Sequence, residues 1–237
     1  MKQYYRIADL NIIMDTFGRT AKQAEKYICE PFDQPDLIIQ SNVGKVKKKF
    51  PFLSDEDCEY KSTSFRFKVN LINYNGIVLH SSAVVVDGKA YLFTADPGTG
   101  KSTHTTRWLQ LFGERAFVLN DDKPALRLVD GVWYAYGTPW SGKDDISVNT
   151  CVPLAGIAAL ERGERNEISR FDGFAAIHAL FKQLVPPMDT EYRTKVLDHM
   201  DKLISMVPIW KLKCNMDPEA AIVSYEAMSG QKYEKGE

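Results

Sequence analysis

A mixed α/β fold is predicted for this chain, built around a strand that turns through a glycine-punctuated loop into a helix. Three observations predict it. The run Ala90-Tyr91-Leu92-Phe93-Thr94 has strand character and leads into Ala95-Asp96-Pro97-Gly98-Thr99-Gly100-Lys101-Ser102, after which Ser102 to Leu109 reads as a helix. The β-rich run Ile77 to Val86 meets that strand through Asp87-Gly88, a strong short-range hairpin signal. A third apolar run, Ala116 to Asn120, reads as a buried strand that ends in Asp121-Asp122. The loop is therefore fed by a strand paired antiparallel to the one before it, and not by a parallel βαβ unit.

The other elements follow in order. Residues 1–75 read as a β-rich segment packed on the core, with strand character at Leu10 to Met14 and clean alternation at Ser64 to Val69. Thr20 to Cys29 reads as one short helix. Lys45-Val46-Lys47-Lys48-Lys49, followed by Asp55-Glu56-Asp57 and Glu59, reads as a solvated hairpin face, with a basic patch for an anionic partner as the alternative. Beyond Asp122, Ala125 to Val129 and Val132 to Tyr136 flank a second turn at Asp130-Gly131. Gly137-Thr138-Pro139-Trp140-Ser141-Gly142-Lys143-Asp144-Asp145 is a glycine-punctuated loop, and Pro153 to Leu160 an apolar strand. Phe174 to Leu184 and Thr190 to Met206 are amphipathic, and Ile209 to Lys213 alternates. Pro218 at a first helical position, capped by Asp217, opens a last helix toward Met228. The expected organisation is a segment 1–75, a main domain over 76–230 that carries the glycine-punctuated loop after Thr94, and a polar tail over 231–237.

Composition narrows the class. The 237 residues, 44% hydrophobic and 26% charged, suit one large domain with a substantial core. A net charge of −1 leaves no electrostatic footprint for nucleic acid or an anionic membrane. Cys29, Cys58, Cys151 and Cys214 form no CxxC pair and no metal-ligand spacing, so they read as free thiols of a reducing compartment. The start of the chain has no apolar signal core, and the apolar runs are too short to span a bilayer. A cytoplasmic protein is expected, and a homo-oligomer is compatible with this composition.

The loop carries the chemistry. Small residues at Asp96-Pro97-Gly98-Thr99-Gly100 let backbone N–H groups curl around a polyphosphate, and the helix opening at Lys101-Ser102-Thr103 directs its positive end at the same charge. Lys101 suits the β- and γ-phosphates of ATP or GTP, and the Ser102 hydroxyl suits Mg²⁺. Paired aspartates at a strand exit supply the other half: one carboxylate for Mg²⁺, the other to take a proton from an attacking hydroxyl. His80, just before the first hairpin, suits a proton-transfer or phosphoryl-contacting role, or a core position. His104 faces either the nucleotide or solvent. The Gly137 to Lys143 segment has the flexibility and polarity of a loop closing over a substrate, with Lys143 offsetting phosphoryl charge; a plain surface turn is the alternative.

Taken in order, His80, the loop Ala95 to Ser102 and the strand Ala116 to Asp122 resemble the catalytic domain of the HPr kinase/phosphorylase family, whose fold is related to phosphoenolpyruvate carboxykinase. The resemblance covers roughly residues 75–225. It implies an ATP-dependent kinase that transfers the γ-phosphoryl group to a serine-type hydroxyl of a peptide, protein or small molecule. It also implies that Lys101 and Ser102 bind phosphate and metal. One of Asp121 and Asp122 ligates Mg²⁺ and the other is the base, with Asp121 favoured for metal and Asp122 for base; His80 tunes that carboxylate or contacts the phosphoryl group. The chain departs from the bifunctional enzymes at Thr103, where they carry glutamate, and it lacks their glycine-rich segment tied to the phosphorylase reaction. The Gly137 to Gly142 loop is similar to a broader HPr-kinase-like group that includes lasso-peptide kinases. The alternatives are a small-metabolite hydroxyl kinase and a nucleotide-binding regulatory module.

Overall fold

Two Asp-Gly hairpins and a long bridging strand set the architecture. A computed structural model describes residues 3–184 and 189–234; the first two residues and the last three of the polar tail lie outside the described residues. The opening segment comprises β1 (Gln3–Ile7), β2 (Leu10–Asp15), α1 (Gly18–Ala24), β3 (Leu37–Gln40), α2 (Val43–Lys49) and α3 (Asp55–Leu71). Then come β4 (Gly76–Val78), β5 (Ser82–Val86), β6 (Lys89–Thr94), α4 (Lys101–Phe112), β7 (Ala116–Asn120), β8 (Ala125–Val129) and β9 (Val132–Tyr136). The chain continues through β10 (Cys151–Arg162), β11 (Glu167–Arg170), α5 (Gly173–Leu184), α6 (Thr190–Met206), β12 (Ile209–Cys214) and α7 (Glu219–Ser229).

Among the described residues β1, β2 and β3 form a small sheet, and a nine-stranded sheet runs β4-β8-β9-β10-β6-β5-β7 with β12 beside β10 and β11 beyond it. The expected mixed α/β fold is what these strands build. β5 and β6 pair antiparallel from Ser82–Phe93 to Val86–Lys89, with Asp87 and Gly88 at φ of 49° and 73°, as a type I′ turn requires. On its other side β6 runs parallel to β10. The strand feeding the loop is thus antiparallel to one neighbour and parallel to the other. β10 begins antiparallel to β9 and continues parallel to β6 and β12, with a register shift between Leu154 and Gly156 where it changes partners.

Both faces of the central strands are covered. Ala83, Val85, Ala90 and Leu92 pack under α5 and α6, while Val84, Val86, Tyr91 and Phe93 pack against α4 and α7 through Trp108, Phe112 and Tyr225. Burial on both faces is why these strands read as unbroken apolar runs. A third cluster joins Tyr5, Ile12 and Met14 of the small sheet to Phe67 on α3, Val78, Ala125 and Trp140.

Several sequence expectations need correction. Ser64 to Val69 is not a strand but part of the 17-residue helix α3. Its alternation is local, whereas the buried positions Tyr60, Thr63, Phe67 and Leu71 recur at helical spacing, and the Ser54 hydroxyl caps the Asp57 N–H at 3.0 Å. The lysine tract is helix α2, capped by Asn42 and ending in Lys47, Lys48 and Lys49, where cations complement the helix dipole; it is not a hairpin. The opening segment holds a three-stranded sheet, yet more of it is helix than strand. Thr20 to Cys29 is helical only as far as Tyr27: it holds most of α1, which starts earlier at Gly18, and the 3₁₀ turn Glu25–Tyr27 that continues it. Ile77 to Val86 is two strands, with His80 in the break between them. β7 is paired through β5 and leaves Phe117 38% exposed, so it is not fully buried. The last helix begins at Glu219, with Pro218 as its cap residue.

The candidate phosphate-loop site

The loop after β6 has the backbone of an anion cradle. Gly98 and Gly100 sit at φ of 77° and 118°, a region that L side chains rarely adopt, and no neighbour would obstruct a Cβ at either. Conformation, not space, calls for glycine here. No side chain caps α4, and no partner is found among the described residues for the backbone N–H groups of Lys101, Ser102 and Thr103. Those free donors coincide with the positive end of α4. The loop is held from within by Thr99, whose hydroxyl and N–H donate to the Asp96 carbonyl at 2.8 and 3.2 Å, and from outside by Arg162, which donates to the Gly98 carbonyl at 2.6 Å. Asp96, Pro97 and Gly98 are exposed. The Lys101 ammonium folds back onto the Ala95 carbonyl at 3.1 Å, and burial lowers its pKa against the pull of the nearby aspartates.

Asp121 and Asp122 turn away from one another. The Ser102 hydroxyl donates to the Asp121 carboxylate at 3.1 and 3.3 Å, so a hydroxyl and a carboxylate meet at the first turn of α4. These hard oxygen donors fit Mg²⁺, which takes one or two carboxylates together with phosphate oxygens. Among the described residues no cluster of three or more His, Cys, Asp or Glu side chains is arranged to hold a metal, and a nucleotide-borne Mg²⁺ needs none.

Asp122 faces the opposite way. Its Oδ1 lies 3.5 Å from His80 Nε2, while its Oδ2 accepts from the Tyr60 hydroxyl at 3.2 Å and from the Lys123 ammonium. The break between β4 and β5 places His80, and its carbonyl accepts from the Thr94 hydroxyl at 2.9 Å. His80 Nδ1 meets Gln183 Oε1 at 3.2 Å, and Gln183 reaches Asp96 at 3.5 Å. Burial and then the Lys101 charge hold the His80 pKa below its ordinary value, with Asp122 pulling the other way.

Sequence reasoning passed over the groups that fix this turn. Buried Asn120 accepts from the N–H of Asp122 at 3.0 Å and of Lys123 at 2.7 Å, and donates to the Thr138 carbonyl at 2.8 Å. Tyr60, from α3, accepts the Gly142 N–H at 3.0 Å while donating to Asp122, and Arg19 lies 4.0 Å over its ring. An asparagine before Asp-Asp was the only local signal; Tyr60 and Gln183 come from 62 and 61 residues away and gave none.

The Gly137 to Lys143 segment is not the open flap that its composition suggests. Gly137 through Ser141 are buried, Trp140 stacks on Phe67 at 4.7 Å, and its indole N–H donates to Thr63 at 3.1 Å. A Cβ on Gly137 would lie 1.9 Å from the Val148 carbonyl oxygen, so close backbone approach explains that glycine. Gly142 and exposed Lys143 emerge beside Asp122. His104 faces neither nucleotide nor solvent. It is buried, bonded to Ser224 at 3.0 Å, with its pKa pushed down to about 4 by burial.

Two cavities flank the loop. One of about 490 Å³ is lined by Gly98, Thr99, Gly100, Thr103, Arg162 and Asn215. The other, of about 980 Å³, includes His80, Asp122, Lys123 and Lys143 in its wall and extends between α2 and α3. No helix among the described residues is long and apolar enough to cross a membrane.

No protein-family model matches the chain, and no sequence among the curated proteins does. Among solved structures, the Hpr(Ser) kinase/phosphatase from Coxiella burnetii is similar, with 11% identity and a TM-score of 0.39 over 65% of this chain and 95% of that one.

Proposed function

We propose that this protein is a Mg²⁺-dependent kinase that transfers the γ-phosphoryl group of ATP to a serine-type hydroxyl of a peptide or protein. One observation carries the proposal: adjacent aspartates serve opposite sides of the phosphate loop, Asp121 toward Ser102 and Asp122 toward His80 and the larger cavity. The resemblance to HPr-kinase-like proteins adds the acceptor class, including peptides tailored during their biosynthesis. The loop from Asp96 to Thr103 cradles the phosphates through its N–H groups, and Lys101 leaves the Ala95 carbonyl to meet the β/γ oxygens. Ser102 and Asp121 are the residues that would hold Mg²⁺, which when bound would supply neutralisation of charge on the phosphate oxygens.

The acceptor oxygen forms a bond to the γ-phosphorus as the bond from phosphorus to the β–γ bridging oxygen breaks. The electron pair of that bond leaves on the diphosphate. Asp122 takes the hydroxyl proton, and its contact with His80 Nε2 gives that proton a second seat. Lys143 offsets charge on the transferring group.

Paired variants test the assignment. Asp122→Asn retains Mg·ATP binding by calorimetry and loses transfer by about a hundredfold or more. Asp121→Asn weakens Mg²⁺ dependence as well. The opposite pattern swaps the two roles, and wild-type transfer in both variants discards the carboxylate mechanism. Tight ATP binding with no hydroxyl ever phosphorylated leaves a nucleotide-binding regulatory module.

A further inference from the structure

The larger cavity has a charge that the reaction alone does not require. Eight lysine and arginine side chains line it against two carboxylates, Asp57 and Asp122. Both carboxylates are already paired, Asp57 with Arg19 at 3.2 Å and Asp122 with Lys123. That leaves Lys45, Lys49, Lys61, Arg66, Lys68 and Lys143, and none of the six has a carboxylate within 4 Å among the described residues. The whole chain carries a net charge of −1, so this is local segregation and not a general basic bias. Like charges gathered around one concavity repel each other and raise the local concentration of anions.

Lys68 is the innermost example. It is partly buried, its ammonium reaches the Gln183 carbonyl at 3.4 Å, and burial with the nearby Lys123 charge lowers its pKa to about 8. An anion seated there would favour its charged form. Apolar groups share the wall, with Phe50, Leu53, Phe65 and Val69 between the cations, and Lys49 and Lys61 lie 5.5 and 5.6 Å over the Phe50 ring. At about 980 Å³ the space is at the upper end of small-molecule sites and has room for a short stretch of chain.

We infer that this groove between α2 and α3 docks an acidic peptide segment, with carboxylates on its lysines, an apolar side chain against Phe50 and Phe65, and the acceptor hydroxyl at the Asp122 end. The inference rests on the kinase reading only for the hydroxyl; the docking itself needs no nucleotide. A free nucleotide or an oligonucleotide would also meet the charges and could stack a base on Phe50 or Phe65, but the aliphatic Leu53 and Val69 beside them suit a side chain, and the test separates the two. Charge complementarity of this kind sets partner choice and association rate.

The test measures docking and transfer separately. A fluorescein-labelled peptide with one serine, one leucine and flanking glutamates is titrated with the full chain by anisotropy without nucleotide. The same peptide with glutamines in place of glutamates is the comparison. The acidic peptide binds at least about tenfold tighter, less so as NaCl rises, and Lys45→Glu/Lys49→Glu/Lys61→Glu removes that preference. The milder Lys45→Gln/Lys49→Gln/Lys61→Gln set reduces it, and unchanged ATP affinity at the far side of the loop shows that both variants fold. Equal binding of the acidic and neutral peptides overturns the inference. So does displacement by a single-stranded oligonucleotide combined with indifference to replacing the leucine by serine. Acidic preference without phosphorylation upholds the groove and overturns the kinase reading instead.

Discussion

Asn120 shows how one side chain sets the geometry of the whole site. Its amide oxygen accepts the N–H groups of Asp122 and Lys123, closing an Asx turn that sends the two aspartates to opposite sides, while its amide nitrogen fixes the Thr138 carbonyl. Asn120→Ala leaves these buried groups unpaired and costs about 1–3 kcal/mol in denaturant unfolding, with a larger loss of transfer than of ATP binding. In the proposed reaction Tyr60 acts through Asp122, as a positioning residue. Tyr60→Phe removes the hydroxyl that Asp122 and Gly142 share, so kcat for transfer drops while KM for ATP holds; an unchanged kcat would refute that role. The His80 pKa is held below its ordinary value, so the imidazole stays an acceptor to lower pH than a free histidine. Transfer therefore falls on an acid limb lying below the usual histidine range, and His80→Gln removes that limb. The same shift gives stability that is complete above the unfolded-chain value and lost as pH falls through the folded one.

Elements differ in how far their own residues announce them. The loop, the two Asp-Gly hairpins and α6 were legible because each rests on a local requirement: positive φ, a turn type, or a 17-residue amphipathic period. α3 was not, because Ser64 to Val69 alternates over six residues while the helical pattern needs all seventeen, and its buried face carries Ser62, Thr63 and Ser64 in place of apolar markers. The burial of Gly137 to Ser141 was equally hidden. Its polar composition suggested a mobile loop, but the partners that bury it, Thr63, Phe67 and Val148, are set by tertiary packing. His80, Lys101, Ser102 and the two aspartates could be named from sequence, whereas Tyr60, Gln183 and the cationic groove required the fold. Gly137→Ala tests the buried segment. The new methyl meets backbone that cannot give way, so the melting temperature drops by the equivalent of about 1–3 kcal/mol, and activity falls as Gly142 and Lys143 shift beside Asp122. A variant with wild-type stability and activity would show that the segment can move.

At the scale of the whole molecule, the small sheet and α3 share a core with β4, β8 and Trp140, so the wall of the cationic groove is part of the same packing that holds the turn between β7 and β8. One carboxylate lies buried in that seam. Glu59 on α3 is fully buried, and burial raises its pKa from 4.5 to about 7, with the Thr20 hydroxyl and Arg19 opposing the shift and Asp15 and Glu56 adding to it. The folded state therefore binds this proton more tightly than the unfolded chain. Its stabilising contribution is complete below pH 4.5, declines as pH rises toward about 7, and is absent above that. The full penalty of ionising Glu59 amounts to about 3 kcal/mol, which is a large share of the stability of an ordinary domain. Glu59→Gln keeps the shape and removes the titration. Urea unfolding of the two proteins should nearly agree at pH 4 and diverge by about 3 kcal/mol at pH 8, with the variant the more stable. The groups that titrate elsewhere are common to both proteins and cancel in the difference. Parallel stability curves from pH 4 to pH 8 would mean that Glu59 is solvated or paired in the native protein, and that the seam behind Tyr60 is open to water.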